Sequence, residues 1–366
     1  MHALKRFGTA FGGYKMMENY PVPECGPDDI ILEIKAAAIC GADMKHWGVD
    51  NGYDDTNITP DQQQSVRGHE FAGEIVKVGE NVKDWHIGQR VVSDNSAHVC
   101  GVCPACEQGD FLCCEHKVNL GLDNNTWGGG FSKYCKVPGE ILAIHKHAIW
   151  EIPEGIKYEE ACVLDPICNA YKAVAQQSHL IPGQDVVVFG TGPLGLFSVQ
   201  VAKLMGAVNI VMVGLDDDVK VRFGVAKELG ATHCVNGSKE DVVARCTEIC
   251  GRDNLGLVIE CSGANIALKQ AIDMTRPNAE IVRVGMGFKP LEFSINDITA
   301  WNKSIIGHMA YDSTSWRNCI RLLQSGQIKV QPMITHRLGL SQWQEGFDKM
   351  AKKEAIKVIF HYDYED

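Results

Sequence analysis

The chain carries two different hydrophobic patterns. Up to about residue 160, apolar residues fall in short runs such as "IILEIKAAAI", "FAGEIVKVG", "QRVVS" and "KYCKV", with Gly and Pro between them. Runs of this kind between turn residues predict a β-rich domain. From 161 to 305 the pattern changes. Nearly unbroken apolar runs ("DVVVFG", "NIVMVG", "LGLVIECSG", "AEIVRVGMG") alternate with stretches of helical period, among them "LGLFSVQVAKLMGA" and "VKVRFGVAKELGA". Strands apolar on both faces, separated by amphipathic helices, predict a doubly wound parallel sheet. After 305 comes a helix, "TSWRNCIRLLQSG", and then short strands, so the tail is expected to rejoin the first part. The expected organisation is α/β. A β-rich domain of residues 1–160 and 306–366 is interrupted by a parallel-sheet domain of residues 161–305. The polar segment 48–66 is expected to be irregular, either a functional loop or a surface insertion.

Composition removes several function classes. The 366 residues are long enough for two cores, and a formal net charge of -11 lacks the basic footprint of nucleic-acid binding. No apolar run reaches the ~18 residues of a membrane span. The N-terminal stretch has no apolar segment of the secretory type, so the cytoplasm is the expected location. Fifteen cysteines then read as reduced thiols or metal ligands rather than disulfides.

Five of those cysteines lie in "CGVCPACEQGDFLCC". Two-residue spacers let Cys100, Cys103 and Cys106 turn onto one ion, with Cys113 or Cys114 as the fourth ligand. Four thiolates close a tetrahedral shell and leave no open position, which points to structural zinc. An iron–sulfur cluster is the rival with the same ligand count. A disulfide knot would need an oxidising compartment.

A second motif follows the strand "DVVVF". Gly190-Thr191-Gly192-Pro193-Leu194-Gly195 opens a helix, the context in which G-x-G-x-x-G binds a dinucleotide. Gly190 permits the tight turn, Gly192 admits a pyrophosphate, and Gly195 lets helix pack on strand. The positive end of the helix then faces the phosphates. The next strand ends at Gly214, followed by Asp216, Asp217 and Asp218. Three carboxylates would repel a 2′-phosphate, which favours NAD. Arg222 nearby keeps NADP open.

The order of "ICGAD", "RGHEFAGEIVKVGENV", the cysteine loop, "GGGFSKYCKVP", "GTGPLG" and "VLDPICNAYKAV" resembles the zinc-dependent medium-chain alcohol dehydrogenases. The nearest likeness is to their polyol and threonine dehydrogenase branch. The resemblance covers nearly the whole chain. It implies a GroES-like catalytic domain carrying two zinc ions, a Rossmann domain for the cofactor, an active site in the cleft between them, and a homodimer or homotetramer. It also implies that the fourth structural ligand is Cys114. Catalytic zinc would be held by Cys40, His69 and Asp165, with Glu70 as a direct or switching ligand. Asp43 would orient His69 by accepting its second N–H. One thiolate, one imidazole and one carboxylate leave the open position catalytic zinc needs. Ser262, Val284 and Gly285 occupy strand-end segments that flank the nicotinamide in relatives.

The sequence departs from its relatives in the proton relay. Ala42 stands where they commonly carry Ser or Thr, and Lys45, beside His46, where they often carry His. Lys45 is therefore the candidate to take the substrate proton or hold a substrate hydroxyl, against the alternative of a solvent-facing lysine with proton loss through water. The expected substrate is a small polyhydroxylated alcohol or sugar acid, with Trp47, Trp127 and Asn169 as pocket candidates. L-threonine is the rival substrate. A zinc-ribbon module joined to a nucleotide-sensing domain, without catalysis, is the reading from another class. A zinc-free reductase of the same superfamily fits poorly with two zinc motifs.

Overall fold

The computed structural model describes residues 1–7, 13–44, 47, 64–123, 126–287 and 289–365. The chain forms two compact units, residues 1–165 with 334–366, and residues 166–333.

The first unit is built on a seven-stranded sheet. Its spatial order is Ile334–Gly339, Lys357–His361, Ile30–Ala38, Glu70–Val78, Arg90–Ser93 and Ile149–Glu151, with Tyr134–Val137 also paired to Ile30–Ala38. The central strand Ile30–Ala38 is buried at Ile30, Ile31, Leu32, Ile34 and all three alanines. Its small alanines lie at the end nearest the candidate metal site. The core gathers Phe71, Ile75, Phe131, Phe347 and Phe360 around it. The last strand enters from the C-terminus, with Ile359 opposite Ala38 and Phe360 opposite Ala37.

The second unit holds a six-stranded sheet in the order His233–Asn236, Ile210–Gly214, Val186–Phe189, Leu257–Glu260, Glu280–Arg283 and Ser304–Gly307. Every neighbouring pair is parallel. Val186–Phe189 and Leu257–Glu260 are buried at every position, as strands covered on both faces must be.

The second unit runs to Met333, beyond the boundary of 305 expected from the pattern. The helix Ser313–Gln324 belongs to it. Asn318 Nδ2 donates to the Tyr171 hydroxyl at 2.9 Å, and Gln200 and Lys329 exchange two bonds across the same unit. An amphipathic helix buries one stripe wherever it docks, so its period alone does not assign it to a unit. Among the described residues no helix is long and apolar enough to cross a membrane.

Candidate active site and metal centres

Strand register assembles the first candidate site. Glu70 pairs with Ala38, and Cys40 follows two residues after Ala38. The C-terminal strand runs on past these pairs, with the Ile39 N–H donating to the Val358 carbonyl at 3.1 Å and Lys357 Nζ donating to the Ile39 carbonyl at 3.1 Å. Three neighbouring strands thus deliver Cys40, Glu70 and Lys357 to one end of the sheet. His69 precedes Glu70. Ligand atoms of Cys40, His69 and Glu70 lie within 4.8 Å of one another.

These groups have the unmet bonding of a metal site. His69 Nδ1 and both Glu70 carboxylate oxygens are buried and make no hydrogen bond. Buried imidazole and carboxylate atoms without hydrogen bonds are costly, and the Cys40 sulfur stands beside them as a third metal donor. The donor set suits zinc. Burial pushes the Cys40 thiol up, with the Lys357 ammonium pulling the other way. Burial likewise pushes Glu70 well above the usual carboxylate range. Lys357 Nζ stands 2.5 Å from Glu70 Oε2, an ion pair without the directionality of a hydrogen bond. Burial opposes the Lys357 charge, and Glu70 and Cys40 more than offset it, so its pKa lies above the ordinary lysine value.

Asp43 sits behind His69 and is fully buried. Its Oδ2 accepts the Cys40 N–H at 3.0 Å, which shapes the short helix Gly41–Met44. Its Oδ1 is 3.9 Å from His69 Nδ1, too long for the expected hydrogen bond. Arg67 explains the offset. Its Nη2 donates to the same Oδ1 at 3.4 Å, and its Nη1 donates to the Leu122 carbonyl at 3.2 Å.

Asp165 is not part of the close group among the described residues. Its Oδ2 accepts from Asn95 Nδ2 at 3.1 Å, and Asn95 takes a left-handed φ of 60° to present that amide. Lys45 and His46, with most of the segment 48–66, lie outside the described residues. Trp47 packs edge-on against Trp343 and Phe347, and its Nε1 donates to Asp348 at 3.1 Å. Trp127 also packs on the core of the first unit. Asn169 faces His308 Nε2 at 3.1 Å inside the second unit.

The cysteine loop closes as a second donor group. Sγ atoms of Cys100, Cys103, Cys106 and Cys114 lie within 4.8 Å of one another, while Cys113 is exposed. Gly101 and Gly109, at φ 75° and 79°, let the loop double back. The Val102 backbone N–H bonds the Cys100 sulfur and brings its pKa to about 6, whereas burial pushes Cys106 up to about 12. Four thiols on one centre, with no disulfide among them, fit a closed tetrahedral zinc site.

In the second unit the glycine turn is shaped for a phosphate. Gly190 has φ 95°, and a Cβ on Gly195 would stand 1.8 Å from the Gly190 carbonyl oxygen. A Cβ on Gly192 would meet nothing within 4 Å, so that glycine faces open space at the start of the helix Pro193–Leu204. Ser262, Val284 and Gly285 stand at neighbouring strand ends. The Ser262 N–H donates to Glu260 Oε1 at 2.7 Å, and the Val284 and Gly285 N–H groups share the Glu260 carbonyl at 2.8 Å each. Ligands bind at such carboxyl ends of parallel strands.

The three aspartates do not act alike. Asp216 and Asp217 are exposed. Asp218 is buried, caps the Leu215 N–H at 2.8 Å, and pairs with Arg222 at 3.3 Å. The expectation of three repelling carboxylates becomes two, and the charge of Arg222 is committed to Asp218.

Two known families match along the chain: an alcohol dehydrogenase GroES-like domain over residues 26–147 and a zinc-binding dehydrogenase over residues 193–325. A sorbitol dehydrogenase of Halalkalibacterium halodurans is 30% identical over 98% of both chains. The chain belongs to the zinc-dependent medium-chain alcohol dehydrogenase superfamily. This dehydrogenase is also 77% identical, over the full length of both chains, to the zinc-type alcohol dehydrogenase-like protein YdjL of Escherichia coli K12. Among solved structures it resembles the 2R,3R-butanediol dehydrogenase of Bacillus subtilis at TM-score 0.83. Identity there is 29%, over 99% of each chain. The expected GroES-like domain and Rossmann sheet are both present. The family makes it an oxidoreductase acting on a small-molecule alcohol.

Proposed function

We propose that this dehydrogenase binds two zinc ions per chain and moves hydride between NAD and a secondary alcohol of a small polyol, sugar alcohol or sugar acid. The observation that carries the reading is the convergence of Cys40, His69 and Glu70, with His69 Nδ1 and both Glu70 oxygens buried and without hydrogen bonds. Zinc in that group supplies the Lewis acidity that lowers the pKa of a substrate hydroxyl, and NAD accepts the hydride. The chain's own residues do the rest. Cys40, His69 and Glu70 would hold that ion, with Asp165 as the further carboxylate. Asp43, held by Arg67 and the Cys40 N–H, sets the face His69 presents. Gly190 to Gly195 seat the pyrophosphate. Asp216 stands beyond the next strand, where it favours a ribose hydroxyl over a 2′-phosphate.

A survey of NAD and NADP reduction across polyols, sugar acids and L-threonine, with metal analysis of the same sample, tests the reading. Polyol or sugar-acid oxidation with NAD and two zinc ions per chain is the expected result. Greater activity on L-threonine than on every polyol moves the substrate to the rival class. One zinc ion per chain and no turnover favours the non-catalytic module.

Lys45 takes the substrate proton or holds a substrate hydroxyl in this reading. Lys45→Met then lowers turnover at least about tenfold, within the usual worth of acid–base groups. Unchanged steady-state turnover would remove Lys45 from the mechanism.

The protein acts as a homo-oligomer. The edge strand Ser304–Gly307 is mostly exposed, carries no charge or proline, and lies near exposed Trp301 and Met309. An unprotected apolar edge is a template for pairing with another chain. Ile305→Lys should shift the protein to a smaller species in light scattering.

A further inference from the structure

Lys357 reaches the metal-ligand group from the far end of the chain, and its side chain is 1% exposed. Its Nζ stands 2.5 Å from Glu70 Oε2 as an ion pair and donates to the Ile39 carbonyl at 3.1 Å. That carbonyl belongs to the residue before Cys40. The ammonium is thus tied to the same backbone that places the thiol ligand. Glu70 is equally enclosed, at 1% exposure, and neither of its oxygens makes a hydrogen bond. A carboxylate between two cations in a poorly solvated site divides its charge between them. Whatever Lys357 takes from Glu70 is withheld from a metal on Cys40 and His69.

We propose that Lys357 is a positioning residue that restrains Glu70 from full ligation and so keeps a coordination position open for the substrate oxygen. The inference rests on the reading of Cys40, His69 and Glu70 as a metal site. Cys40 and His69 then hold the metal firmly, while Glu70 stays a weak ligand with Oε2 on the ammonium. Without the ammonium, Glu70 loses its ion-pair partner among the described residues and becomes a permanent ligand.

The test uses the full-length chain loaded with cobalt(II), read by visible absorption and by competition with a chelator. Subtracting the spectrum of Cys40→Ala isolates this site from the four-cysteine loop. In Lys357→Met the ligand-field bands should move and cobalt should be held about tenfold more tightly, the lower end of what neighbours of metal ligands exert. Lys357→Arg, which keeps the charge, should stay near the wild-type spectrum. In a Glu70→Gln background, Lys357→Met should change neither readout, because no carboxylate is left to release. If Lys357→Met does not accumulate folded, Lys357→Gln takes its place under the same readouts. Bands and affinity that match the wild type overturn the proposal. So does a change that persists in the Glu70→Gln background. A wild-type chain with no cobalt signal dependent on Cys40 overturns the metal-site reading instead.

Discussion

Cys40→Ala lowers alcohol oxidation roughly 10³-fold and removes one equivalent of metal per chain. The thiol sits two residues past the central strand, and its backbone N–H is held by Asp43 Oδ2 at 3.0 Å. Loss of the ion removes several kcal/mol of charge stabilisation, and about 1.36 kcal/mol corresponds to tenfold in rate. The fold should survive. The first unit keeps its core of Ile30, Leu32, Phe71, Phe131 and Phe360, none of which depends on the thiol. Circular dichroism and metal analysis on the same sample separate the two effects. Turnover within about tenfold of wild type would remove Cys40 from the reacting centre.

Cys114→Ser and Cys113→Ser, one residue apart, should behave as opposites. Cys114 is buried with its Sγ 3.6 Å from Cys100 Sγ, whereas Cys113 points to solvent. Breaking a closed four-thiolate site belongs to the mechanisms that cost about 4 kcal/mol or more, while an exposed surface change stays within about 0.5 kcal/mol. Urea unfolding midpoints should fall sharply for Cys114→Ser and hold for Cys113→Ser. Equal midpoints would mean the loop carries no structural metal.

Much of this was legible from residue order. The parallel sheet announced itself in "DVVVFG" and "NIVMVG" because strands covered on both faces have no polar side to show. The cysteine loop and the glycine turn were legible because their spacing is the chemistry. The groups around the metal ligands were not. Lys357 in "AIKVIF" looks like an exposed lysine on a tail strand, and only the pairing of that strand beside Ile30–Ala38 buries it. Arg67 in "SVRGHE" carries no local sign of its pairing with Asp43, which lies 24 residues away. Asn95 could have been flagged as a turn residue able to adopt a left-handed φ, though nothing local aims it at Asp165. The run of three aspartates misled in a different way. Asp218 is three residues after Leu215 and caps that residue's N–H, so a local bond outweighs the charge pattern.

The C-terminal strand has a consequence for the order in which the protein can be made. Residues 40, 69 and 70 leave the ribosome well before the strand carrying Lys357, which pairs beside them only after the unit of residues 166–333 has been synthesised. Domains generally fold as units during synthesis, and this one cannot complete its sheet until the inserted unit has already emerged. Closing a contact across 318 residues is slow in proportion to its range. Chains released before residue 357 would therefore carry unpaired backbone at Ala37 and Ala38 and a Glu70 carboxylate without its Lys357 counter-ion.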